Sequence, residues 1–155
     1  MFDLSVRKQT LKETENTQEN MNETVNHELL TFVNVLLHAS YQFLFLETLS
    51  RSFAMPGTTW ITKRREEKSR EEAVTLLDWI KANDGYLEFA DISKPKFDES
   101  EINAEFVFKR WDEVEKWISS NIEESCNKIR ETHYVKKNEI VRILRGVESN
   151  IMSTD

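Results

Sequence analysis

Glycine, proline and cysteine are scarce: the 155 residues hold 3, 2 and 1 of them. Sandwiches and barrels need a turn every ~8 to 12 residues, and turns draw heavily on glycine and proline, so a β-rich fold is excluded. Collagen and disulfide scaffolds go the same way. Cys126 is alone and cannot close an intrachain bridge, and no basic stretch leads into an apolar run with a small-residue cleavage site, so a reducing, cytoplasmic setting is expected. Positive charge is also short. With 21 Lys+Arg against 28 Asp+Glu the net charge is −7, which repels phosphate backbones and anionic bilayers and argues against nucleic acid as a partner. What remains, 39% hydrophobic and 32% charged residues in one domain's length, describes a helical bundle. A chain of this size buries ~70% of its unfolded surface and needs no metal or disulfide staple.

The few breakers, Pro56-Gly57, Gly85, Pro95 and Gly146, punctuate long helical stretches. Residues 1–20 mix Lys8, Lys12, Glu13, Glu15 and Glu19 with Thr, Gln and Asn, and read as a flexible arm ahead of a bundle over 21–152. The first helix is expected from about Asn22 to Arg51. Between Leu29 and Leu46 no residue carries a formal charge, which meets the length of a membrane span. Against that, Thr31, Asn34, His38 and Gln42 form a polar stripe at helical spacing and no Lys/Arg cluster flanks the run. The expectation is a helix buried on most sides, with no membrane and with a further subunit against it. Phe32, Val33, Phe43, Phe45 and Phe53, distributed around its circumference, predict at least a dimer.

A second helix is expected over Thr58–Asn83. Its charged half, Lys63 to Glu72, reads as a solvated face with pairs such as Glu66-Arg70, and its apolar half carries Ala73, Leu76, Leu77, Trp79 and Ile80. Asn83-Asp84-Gly85 supplies the stop. Tyr86 to Asp98 is too long for a hairpin turn and reads as a crossover along the bundle. Helical spacing resumes at Glu99, with Asp98 as N-cap, and passes Ile102, Phe106, Trp111, Val114, Trp117 and Ile118. The corner into the fourth helix falls at Ser125-Cys126-Asn127 or at Ser119-Ser120-Asn121. Helices of ~25 to 30 residues make a bundle ~40 Å long.

Four segments in order now resemble the ferritin family: Ala39-Ser40-Tyr41 in the first helix, the linker from Gly85 to Asp91-Ile92-Ser93-Lys94-Pro95, Ile102-Asn103-Ala104 in the third, and Glu131-Thr132-His133-Tyr134 with Asn138 and Gly146 in the fourth. The resemblance implies an all-α, ferritin-like four-helix bundle with one long crossover between helices 2 and 3. The chain stops at Asp155, soon after the fourth helix, so no fifth helix is expected.

The resemblance also implies where a two-iron oxidation centre would sit. Its ligand positions fall here on Leu36, Ser69, Glu72, Asp112 and Asn138. Only Glu72 and Asp112 are carboxylates, enough for a weak, residual cation site and too few for an iron pair. A salt bridge to Glu72 and a hydrogen bond to Asp112 are the plain structural alternatives. His27, His38 and His133 form no zinc spacing with Cys126, and His133 is expected to hydrogen-bond within a helix. Of the acidic residues that line the family's pore, Glu131 remains and the other position is Lys128, which repels cations. The chain is also about two turns shorter than the family between Asp112 and Glu131. Expected therefore is a ferritin-like subunit without oxidase activity, similar to a light-chain-type subunit, with a structural or iron-storage role and iron as a weak cofactor at most. It would assemble with itself or with other ferritin subunits. The alternative is a structural or interaction module that no longer handles iron; the basic run Lys63, Arg64, Arg65, Lys68, part of which would face where the family displays nucleating carboxylates, counts against the storage reading.

Overall fold

The computed structural model describes residues 21–153 and contains, among them, four α-helices and no strand. They are α1 (Glu23–Ser52), α2 (Pro56–Ala82), α3 (Ala104–Arg130) and α4 (Lys137–Met152), with one 3-10 turn at Glu99–Glu101. The expected arm over 1–20 lies outside the described residues. The chain is a four-helix bundle.

α1 starts where Asn22 accepts from the backbone N–H groups of Thr24 (2.9 Å) and Val25 (3.2 Å). It ends in a tight turn that places Ala54 at φ 53°, and Pro56 opens α2 at its first position, where a missing N–H costs nothing. α1 is the central helix. Val25, Leu29, Phe32, Leu36, Ala39, Phe43 and Leu46 are fully buried, because α2 covers one flank and α3 another. α4 closes the ring between α3 and α2. α1 is also long and apolar enough to cross a membrane by length and composition, yet 56% of its apolar window is buried inside the bundle.

The linker between α2 and α3 lies along α1. At one end the Asn26 side-chain amide binds Tyr86 twice, donating to its carbonyl (3.1 Å) and accepting from its N–H (2.9 Å). This close approach requires Gly85, where a Cβ would fall 2.4 Å from Asn26 Oδ1 and 2.6 Å from Ile80 Cγ2. Midway, His38 Nε2 lies 3.2 Å from the Asp91 carbonyl oxygen. Further along, Phe97 stacks on Phe45 at 4.8 Å between centroids and Arg110 of α3 donates to the Lys96 carbonyl (2.7 Å).

Three boundaries differ from the sequence expectation. Asp98 caps only the 3-10 turn, accepting from Ser100 N–H at 3.0 Å; the N-cap of α3 is Asn103, which accepts from Phe106 N–H at 2.8 Å. Neither serine-rich segment is a corner. α3 runs through both, since Ile118, Ile122, Ser125, Cys126 and Ile129 hold one buried stripe, and the corner is at 131–136. There Thr132 donates to the Ile129 carbonyl (2.7 Å) and Lys137 Nζ to those of Arg130 (3.2 Å) and Thr132 (3.0 Å), satisfying the end of α3. The Glu131-Thr132-His133-Tyr134 segment is therefore corner, and α4 is 16 residues long, shorter than expected.

Candidate functional site in the bundle interior

The charged half of α2 is not wholly solvated. Glu66 and Arg70 do pair across one turn at 3.1 Å. Arg65 and Lys68, in contrast, are each only 5% exposed. Thr62, Arg65, Ser69, Ala73, Leu76 and Ile80 recur at spacings of three and four, so the stripe that is apolar in the second half of α2 continues through its charged half. That periodicity was the available signal, obscured by the density of charge around it.

Both buried cations meet the C-terminal end of α4, whose carbonyls have no intrahelical partner. Arg65 Nη1 donates to the carbonyls of Ile151 (2.5 Å) and Ser153 (2.7 Å), and Lys68 Nζ donates to Ser153 (2.9 Å). Positive charge at a helix C-terminus is also favoured by its dipole. From α3, Glu115 Oε2 approaches Arg65 Nη2 at 3.6 Å, and the Trp111 ring lies under the guanidinium at 5.8 Å. Three donor atoms here, Arg65 Nε, Ser69 Oγ and Trp111 Nε1, are buried without an acceptor among the described residues.

The positions that the resemblance assigns to metal chemistry differ in burial and in partners. Leu36 is fully buried and apolar, and Ser69 is fully buried. Glu72 accepts from the Asn150 amide of α4. Asp112 is 62% exposed and pairs with Lys116 of its own helix at 2.7 Å. The buried stripe of α3 passes through Val107, Val114, Ile118 and Ile122, with Trp111 against the core. Asp112 stands one residue, ~100° of rotation, away from Trp111. Glu131, Asn138 and His133 are exposed, His133 because it sits on the corner rather than in a helix. Lys128 turns back to Glu124 (3.1 Å) and stands 4.0 Å from the buried Glu28, which also accepts from Ser125 Oγ at 3.3 Å. These carboxylates hold the Lys128 ammonium pKa above its ordinary value, the Glu124 hydrogen bond being the largest cause. Among the described residues no group of three or more His, Cys, Asp or Glu is placed to hold a metal ion.

Phe45 is half-buried: within its own chain it stacks on Phe97 and meets Phe106 edge-on at 6.3 Å. Phe32, Val33 and Phe43 are buried in the core. The large apolar side chains that α1 does expose are Tyr41 (44%) and Leu44 (49%), and the linker adds Phe89 (67%).

No protein-family model matches the sequence, and the curated proteins contain no similar one.

Proposed function

We propose that this chain is a ferritin-like bundle that serves as a structural subunit of an oligomer and carries no iron-oxidising centre of its own. The observation that carries this reading is the interior between α2, α3 and α4, where Arg65 and Lys68 occupy the core and bind the carbonyls at the end of α4. Two fixed positive charges oppose entry of Fe2+, and a diiron site needs several inward carboxylates at once. Leu36 and Ser69 supply none, and Asp112 faces solvent.

The ferritin-like topology with a long crossover is favoured by the order of neighbours and by direction. Asn26 near the start of α1 meets Tyr86 just past the end of α2, while Glu28 meets Ser125 near the end of α3. α1 therefore runs opposite to both, α2 and α3 run the same way, and the linker between them spans the bundle beside α1. The oligomer is favoured by the outer face of α1 between Leu29 and Leu46, which carries no formal charge and on which Tyr41 and Leu44 are exposed. A face without charge allows copies of a chain of net charge −7 to meet with little local repulsion. Light scattering of the purified chain, alone and after Fe2+ in air, tests the assembly: a stable oligomer that gains no iron is expected, and a monomer at micromolar concentration overturns the structural-subunit reading.

A further inference from the structure

Of the buried polar atoms without a partner among the described residues, Asn34 Oδ1 and Ser50 Oγ lie on α1, whereas the donors Arg65 Nε, Ser69 Oγ and Trp111 Nε1 lie on α2 and α3 around the Arg65 guanidinium. Arg65 and Ser69 stand one helical turn apart on the inward stripe of α2, where such side chains are neighbours, and the Arg65 guanidinium carbon is 5.8 Å from the centre of the Trp111 ring. Buried polar groups are nearly always satisfied, so such a group calls for an acceptor. The Ile151 and Ser153 carbonyls take Arg65 Nη1 and Lys68 Nζ, and Glu115 faces Arg65 Nη2.

The sign of the surroundings selects the acceptor. Among the described residues, Arg65 and Lys68 bring two positive charges against the carboxylate of Glu115, and the C-terminus of α4 contributes about half a negative charge. Glu72, a turn beyond Lys68, is turned to Asn150 at the surface. A water offers two lone pairs and must place two protons of its own. A halide accepts from all three donors and donates to none. We propose that Arg65, Ser69 and Trp111 form a buried site for a small monovalent anion of the halide type. The site stands apart from the assembly reading, since it needs only α2, α3 and α4 of one chain.

Bromide is the probe, because its anomalous scattering distinguishes it from water. Crystals of the full chain grown without chloride and soaked in sodium bromide are expected to show an anomalous peak within hydrogen-bond reach of Arg65 Nε and Trp111 Nε1. In solution, the thermal midpoint is expected to rise saturably as bromide replaces gluconate at constant ionic strength. Trp111→Phe, which keeps the ring beneath Arg65 and removes one N–H, is expected to weaken bromide by about tenfold or more, and Ser69→Ala to weaken it in the same direction. The absence of an anomalous peak overturns the proposal and leaves the donors to water. A saturable response that both variants leave unchanged also overturns it, because the anion then binds elsewhere.

Discussion

At the scale of single residues, burial sets the behaviour of Gly85 and Cys126. A methyl group at Gly85 would collide with Asn26 Oδ1 and Ile80 Cγ2, both held in the core, so Gly85→Ala should destabilise the fold by roughly 1–3 kcal/mol in urea titrations. A variant as stable as the parent would mean that the Asn26–Tyr86 junction is loose. Cys126 is fully buried, and burial pushes its thiol pKa up. The pH sign follows directly. Below the unfolded thiol pKa both states are protonated and the group is neutral to stability; above it the unfolded chain ionises first and stability falls. Reaction with a disulfide reagent at pH 8 should therefore track unfolding, and a rapid reaction in native buffer would contradict the burial.

At the scale of elements, the helices support one another through their ends. Arg65→Met should remove two hydrogen bonds from the end of α4 and cost roughly 1.5–3 kcal/mol, with the extra protease sensitivity confined to the last turn of α4. Acid should loosen α4 by a second route. Arg145 bonds Glu123 across α3 and α4 at 2.6 Å, and that bond and its charge hold the Glu123 carboxyl below its usual range. A lowered carboxylate pKa contributes stability above the unfolded value and loses it as pH falls through the folded one. Glu123→Gln should flatten that acid-side slope. Helix number and approximate limits were legible in the sequence because Asn22, Pro56 and Gly85 act through local backbone chemistry. The corner at 131–136 was not, because it has neither glycine nor proline and is held by Thr132 and Lys137, which side-chain spacing cannot reveal. The interior was half legible. Ala73, Leu76 and Ile80 were readable as buried, whereas Arg65 and Lys68 looked solvated because their acceptors come from α4, some 85 residues away in sequence.

At the scale of the whole molecule, the proposed subunit differs from an oxidising one in what fills its centre. Replacing Tyr41 and Leu44 together by glutamate should dissociate the proposed oligomer while leaving the helical circular dichroism intact, since both side chains are exposed within the chain. Phe45→Glu should instead loosen the linker from α1, because it removes the ring that stacks on Phe97. Analytical ultracentrifugation beside circular dichroism separates the two effects. The central claim, an interior closed to iron chemistry by Arg65 and Lys68, is tested most directly by following oxidation of Fe2+ in air with and without the protein. The predicted result is a rate no faster than buffer at every ratio of iron to chain. Saturable oxidation at about two irons per chain would contradict it.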